Sequence, residues 1–384
     1  MANPDRSKRH LAHLHKYTGQ KSNCIPPSLS QIYLIHLEIM GRTEPSTRPP
    51  PAAARRDARA KRAKATINQV IPSLLTTHPR AKNGIDAARL IVDIPPNNSS
   101  SGSKGTPGGQ DSARRNRLMV ADTLTAARRA MASSEAPGQD VPKTAILNMA
   151  SPLSPGGGFL NGASSQEESL CMRTTLLPSL KDEYYRLPEL GAIFSPDIMV
   201  FRDEDSYEIL PKGERWFVHC ISAAMLRNPE LDHDDMGRAT YANDQDRHVA
   251  MQKMRMVMRI CEAQEIKKVV LGAWGCGAYG NPINEIAAAW KKVLMPRRDP
   301  KGKAKKETWP GVEEVIFAIK DPGMASAFAV AFGDGLEEAE EEDGEEQEAG
   351  SVDEEELGVD DQESEHAKVL ARIEEMRQRL ARTA

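Results

Sequence analysis

The sequence predicts an α/β fold with a largely parallel or mixed sheet, built as one sizeable domain. Apolar, branched runs alternate with amphipathic helical stretches, an order that lays helices against a sheet. Two of those runs, "KTAILNMAS" and "KKVVLGAWG", open straight into glycine-rich turns followed by helix signals. A length of 384 residues alone allows two or three domains, but the stretches able to bury a core lie between 53 and 333.

In chain order, residues 1–52 are polar and proline-rich and are expected to be disordered. Their apolar patch "QIYLIHLEIM" is too short to span a membrane and too deep for a secretory signal. "RRDARAKRAKATINQVIPSLL" reads as a helix whose basic cluster suits a solvated face or a nuclear address, and "GIDAARLIVDIPP" ends it. Residues 97–112, "NNSSSGSKGTPGGQDS", read as a flexible insert. "NRLMVADTLTAARRAMASS" predicts a second helix with Leu118, Ala121, Leu124 and Ala127 at spacings of three. A strand over 144–149, a glycine loop and a helix over 165–177 follow. "GAIFSPDIMVFRD" and "RWFVHCISA" predict strands, and "DRHVAMQKMRMVMRICEAQE" a long helix whose methionines suit core packing. The strand of "KKVVLGAWG" leads through a second glycine turn into a helix with Pro282 in its first turn, and "VEEVIFAIKD" predicts the last strand. Residues 334–365 are expected to be an acidic disordered tail, and 366–384 a short helix with Val369, Ile373, Met376 and Leu380 on one face.

The formal net charge of −4 hides a division. Residues 337–365 carry seventeen acidic side chains and no Lys or Arg, and 366–384 carry a net +3, so the chain before them carries +10. A basic body suits an anionic substrate such as a nucleotide or nucleic acid, and equally suits ordinary solubility. Five scattered cysteines (24, 171, 220, 261 and 276) argue against a disulfide framework and fit a reduced compartment, cytosol or nucleus.

The second glycine turn spells G-x-G-x-x-G at Gly275, Gly277 and Gly280, with Cys276, Ala278 and Tyr279 between them. A dinucleotide fingerprint needs an acidic residue about twenty positions on, at the end of another strand. That region is the loop "MPRRDPKGKAKKE", which disfavours a nicotinamide oxidoreductase. The loop chemistry survives: glycines admit a ligand close to backbone N–H groups, which can converge on phosphate oxygens. Two such loops on one sheet point to a diphosphate ligand, and Tyr279 could pack against its sugar or base.

The first loop, Gly156, Gly157 and Gly158, precedes Ser164-x-x-Glu167 and Ser165-x-x-Glu168, both of which satisfy the capping-box pattern. Only one serine can cap the helix, so capping leaves one glutamate facing whatever the loop admits. A carboxyl buried there beside a like charge would have a raised pKa, as a general acid needs, while the helix N-terminus favours the anion.

"GGGFLNGASSQEE" resembles the signature of the microbial-type poly(ADP-ribose) glycohydrolases: three glycines, a spacer of six to eight residues, here seven, then Q-E-E. "LNMASPLSPGGG", "LGAWGCGAYGNP", "SPDIMVFRDED", "RWFVHCISAAMLRNP" and "VEEVIFAIKD" are similar to that family's strands and second loop. The resemblance covers about 53–95 and 113–322. It implies a macro-domain-like three-layer α/β/α core with a mixed sheet and extra N-terminal helices. It also implies cleavage of the ribose–ribose O-glycosidic bond in poly(ADP-ribose), free or on protein. On that resemblance Glu168 would protonate the leaving 2′-oxygen and then activate water, Glu167 would hold the adjacent ribose hydroxyls, and Gln166 would help position them. Gly156–Gly158 would pass close to the scissile ribose and diphosphate, Gly275–Gly280 would cradle the diphosphate, Tyr279 would match the family's aromatic near the ligand, and Asn148 would contact the terminal ribose. No metal or other cofactor is implied, nucleic acid is not required, and a monomer is expected. Two other readings remain: a macro domain that binds ADP-ribose without cutting it, and a cysteine hydrolase using Cys276 with His219.

Overall fold

The structure, a computed structural model, describes residues 51–96, 114–133, 142–204, 206–296 and 307–338. The chain divides into Met1–Pro51 and Ala52–Ala384, and every element below lies in the second unit. The N-terminal segment up to 50, the insert 97–112, the acidic stretch from 339 and the expected helix 366–384 lie outside the described residues.

Strand β3 (Thr144–Met149) lies inside the sheet and is buried along almost its whole length, as an apolar run with a neighbour on each side must be. Those neighbours, β5 (Trp216–Ala223) and β8 (Lys268–Leu271), both run parallel to it. The sheet order is β1 (Arg89–Val92), β4 (Gly191–Val200), β5, β3, β8, β9 (Glu314–Ala318), β2 (Arg115–Met119), β10 (Glu337–Glu338). The β1/β4 and β4/β5 pairs are antiparallel and the rest are parallel. A separate hairpin pairs β6 (Leu231–His233) with β7 (Ala239–Tyr241).

Side chains alternate across the sheet and so divide its faces. Ala145, Leu147, Val269, Leu271, Val315 and Phe317 pack with α6 (Asp244–Ala263), α7 (Ile283–Leu294) and α8 (Pro322–Phe332) through residues such as Met254, Trp290 and Phe328. Ile146, Val270 and Ile316 pack on the other face with α4 (Thr123–Ala132) and α5 (Gln166–Arg173), through Leu124 and Leu170. The result is the three-layer α/β/α architecture. The methionines of α6 are core packing: Met254, Met256 and Met258 are buried. At the N-terminal side α1 (Ala52–Ala65) continues through a π-turn at Thr66–Val70 into α2 (Ile71–Thr77), and α3 (Pro79–Asp86) follows.

Several expectations need correction. Leu118 lies in β2, not in a helix; the helix starts only at Thr123, because Asp122 accepts hydrogen bonds from the amides of Leu124 and Thr125 (2.7 and 3.4 Å). The spacing of threes thus joined a strand residue to a helix. The helix expected from the basic run is continuous from Ala52 to Thr77, with a π-turn inside it, but the stretch read as its end holds the close of a further helix, α3, and then β1. Helix α5 stops at Arg173, where the β-branched Thr174 turns extended and bridges to Val200. Pro282 is the extended N-cap of α7 rather than a first-turn residue. The chain past 333 does not leave the fold at once, since Glu337–Glu338 pairs with Arg117–Leu118 of β2. Among the described residues, no helix is long and apolar enough to cross a membrane.

Candidate active site

Because β3 and β8 are parallel neighbours, their carboxyl ends share one sheet edge, and both glycine loops emerge there side by side. Asn148 sits at the end of β3 in phase with Ile146, on the face covered by α5. Its Nδ2 donates to Glu167 Oε1 (3.3 Å) and to Ser222 Oγ (3.0 Å).

The first loop brings both glutamates to one point. Gly157 has φ +54°, and a Cβ there would stand 2.8 Å from Glu168 Oε1 and 2.9 Å from Glu167 Oε2. Only a residue without a side chain fits between the two carboxyl groups. Glu167 Oε2 accepts the Ser151 amide (2.7 Å), and Glu168 Oε1 accepts the Gly158 amide (2.8 Å). Ser165 is the N-cap of α5, but its hydroxyl donates to Glu168 Oε2 instead of capping a backbone amide. Neither glutamate is used up in the capping box that the sequence pattern offers. Both are buried, at 3% and 6% exposure. Burial pushes Glu167 up to about 8; the Glu168 charge adds to this, while the amides of Ser151, Asn148 and Gly156 oppose it.

Helix α5 is fixed at both ends. Gln166 Oε1 accepts the Met149 amide (2.9 Å), and its Nε2 donates to Leu147 O (2.7 Å) and Thr123 Oγ1 (3.1 Å). Gln166 is therefore engaged with β3 and α4, and it places the two glutamates rather than offering its own amide. At the other end Arg173 donates to Asp122 Oδ1 (3.1 Å), tying α5 to the N-cap of α4. Helix α1 backs the loop: Arg56 Nε and Arg59 Nε donate to the carbonyls of Asn161 (3.0 Å) and Gly162 (2.8 Å). Gly162 has φ +77°, and any Cβ there would run into the Arg56 carbonyl. Gly156 has φ +66°, a left-handed backbone that favours glycine, and its Cβ position lies 2.6 Å from Leu177 Cδ1.

The second loop is held from within by Asn281. Its Nδ2 donates to Leu226 O (2.8 Å) and Gly275 O (3.0 Å), and Tyr241 Oη donates to its Oδ1 (2.8 Å). The amides of Cys276 and Gly280 are spent inside the turn, on Ala273 O and Gly277 O. Among the described residues, those of Gly275, Gly277, Ala278 and Tyr279 have no protein acceptor. A Cβ on Gly277 would meet nothing within 4 Å, so the space above the loop is open. The loops also meet: burial raises the Tyr279 phenol's pKa, and the ring lies close enough to Ser151, Glu167 and Glu168 for them to act on it.

The structure thus gathers Asn148, Gly156–Gly158, Glu167, Glu168 and Gly275–Gly280 at one sheet edge. It does not gather Cys276 into a nucleophile site. Burial pushes the Cys276 thiol up, and His219 stacks on Phe194 (5.9 Å) and accepts from the Asp197 amide (3.3 Å). Ser151, Asn281 and the Arg56/Arg59 pair were not singled out by the sequence reading. Only the "GNP" turn could have pointed to Asn281, since the others depend on contacts distant in sequence.

Residues 96–203 match the family model "Microbial-type PARG, catalytic domain", a stretch holding the first loop and both glutamates but not the second loop. No curated protein matches the chain. Among solved structures, poly(ADP-ribose) glycohydrolase from Thermomonospora curvata is 23% identical, with a TM-score of 0.52, covering 72% of this chain and 100% of that one. The same protein bound to the inhibitor ADP-HPD gives 23% identity and a TM-score of 0.51, over 72% of this chain and 98% of that one. The fold is shared with these structures across the whole length of the relative.

Proposed function

We propose that the chain is a glycosidase that hydrolyses ribose–ribose O-glycosidic bonds in poly(ADP-ribose), releasing ADP-ribose. The observation that carries this reading is the convergence of two buried carboxyl groups on Gly157, beside a loop whose free amides suit a diphosphate. The family match over the same glutamates supports it.

In this reading the diphosphate lies along Gly275–Tyr279, where it replaces water on the free amides, with Tyr279 packed beside it. The scissile ribose then reaches the first loop. Glu167 and Asn148 hold the ribose hydroxyls, and the one proton that burial keeps on the glutamate pair up to about pH 8 stands on Glu168 for the chemistry. Glu168 gives its proton to the 2′-oxygen as the bond from that oxygen to the anomeric carbon breaks. The resulting carboxylate takes a proton from water as the water oxygen bonds to the anomeric carbon, so Glu168 ends as it began. The pair suits this cycle because one proton stays on it at neutral pH. The described cysteines are all free thiols, which fits a reduced compartment, cytosol or nucleus.

Incubating the protein with poly(ADP-ribose) and resolving the products by chromatography tests the reading. Free ADP-ribose is expected. Tight binding of ADP-ribose with no release from polymer would instead identify a reader of the mark.

A further inference from the structure

The basic run of α1 is a sequence feature that the site described above uses only in part. The helix carries six Lys and Arg and a single acid, Asp57, and among the described residues no carboxyl group pairs with any of the six. Its N-terminal half lies on the first loop, where Arg56 Nε and Arg59 Nε donate to Asn161 O (3.0 Å) and Gly162 O (2.8 Å). Each guanidinium is thus fixed by one edge, and its Nη groups have no protein partner among the described residues. At about 100° per residue the exposed Arg55 projects beside this pair, whereas Asp57 points about 160° away from Arg59. Leu160, in the same turn as Asn161, is apolar and yet exposed. The start of the loop has the other sign. There the Leu187 amide donates to Pro152 O (3.0 Å), which brings in segment 181–189, where Asp182, Glu183 and Glu189 outnumber Lys181 and Arg186.

A polymer cut at the first loop has two sides. The unit to be released lies along the second loop, and the rest of the chain runs on from the 2′-oxygen with a diphosphate and an adenine in each further unit. That remainder is a polyanion, and of the two limbs of the first loop the α1 side carries the excess of cations. Arginine suits the part, because its planar fork meets phosphate through paired N–H groups, and a guanidinium already fixed by one edge loses less freedom on binding. We propose that Arg55, Arg56 and Arg59, with Leu160 beside them, bind the first diphosphate and base of the polymer that stays behind when ADP-ribose is released. The inference deepens the glycohydrolase reading and rests on it for the identity of the polyanion. Continuity with the first loop favours this polymer over a single-stranded nucleic acid, the other polyanion such a face would take.

The test measures binding in the full chain, with Glu168→Gln in every protein so that a short poly(ADP-ribose) stays intact. Affinities for that polymer and for ADP-ribose, which ends at the cut, are compared at about 0.1 M salt, where charges more than about 10 Å apart are screened. Melting temperatures are taken on the same proteins. The triple variant Arg55→Gln/Arg56→Gln/Arg59→Gln should weaken the polymer at least tenfold (a flagged magnitude of roughly one decade) and leave ADP-ribose affinity unchanged. Arg55→Glu, which breaks no hydrogen bond of the loop, should weaken the polymer about fivefold. Lys64→Glu makes the same charge change about 13 Å further along the helix, at roughly 1.5 Å per residue, and should do neither. Equal losses for both ligands, or equal losses from Arg55→Glu and Lys64→Glu, overturn the inference: the arginines then only brace the loop, or the charge of the whole body acts. A single-stranded oligonucleotide of equal charge that displaces the polymer as well as unlabelled polymer does also overturns it, and makes the face a nucleic-acid surface. Protein with Glu168 restored that binds polymer without cutting it sinks the glycohydrolase reading instead, and the binding ratio still decides this one. Protein that binds neither ligand contradicts both.

Discussion

Glu167 hangs from the end of β3 by the Ser151 amide and Asn148, whereas Glu168 is turned onto the glycine loop by the Gly158 amide and the Ser165 hydroxyl. Neighbouring helix residues point about a hundred degrees apart, at roughly 3.6 residues per turn, so this division follows from the helix itself. Two carboxyl groups this close and this dry do not both ionise at neutral pH. Two consequences can be measured. Turnover should fall as pH rises through about 8, where Glu167 loses its proton, and Glu167→Gln should remove that limb. Stability follows the same proton. Between the ordinary carboxylate range and about 8 the folded state holds one proton more than the unfolded chain, so this contribution is full at low pH and is lost as pH rises through about 8. Denaturant midpoints at pH 5.5 and 8.5 should therefore lie closer together in Glu167→Gln than in the wild type. Parallel profiles would mean that Glu167 is ionised throughout.

At the level of elements, the strand–glycine–helix units were legible because each element carries its own signal: branched apolar residues, consecutive glycines, then an N-cap. The long strands at 191–200 and 216–223 and helix α6 were legible for the same reason. What the sequence hid was pairing. The strand Arg115–Met119 lies between β9 and β10, yet its residues carry as much charge as apolar surface. Glu337–Glu338 joins the sheet through backbone alone, which no side-chain pattern announces. The candidate residues could be named from the sequence, but their wiring could not. Gln166, expected to help position the ribose, has its side-chain amide bonded to β3 and α4, and Asn281 holds the second loop without having been noticed. The second loop gives a clean test, because Gly277 faces open space. Gly277→Trp should leave the melting temperature unchanged and weaken ADP-ribose by at least tenfold, about 1.4 kcal/mol. Unchanged affinity in calorimetry would remove this loop from the site.

Across the whole molecule, charge is divided between a basic body and an acidic segment that begins where the sheet ends. Both the segment and poly(ADP-ribose) are polyanions, so if the polymer is the substrate the two are expected to compete for the same positive field. Removing residues 339–384 keeps the β10 pairing and should lower KM for the polymer, more at low salt than at high salt because ions screen such contacts. Equal KM values for both proteins at both salts would show that the segment does not compete. The proposed chemistry rests on the Glu168 carboxyl. Turnover of poly(ADP-ribose), ADP-ribose affinity and melting temperature should be measured on a single preparation of Glu168→Gln. The account predicts turnover lower by roughly 10²–10⁴ with binding retained and the fold intact. Full activity per folded molecule, with at most a loss of about 0.5–2 kcal/mol in stability as for a lost helix cap, would contradict it.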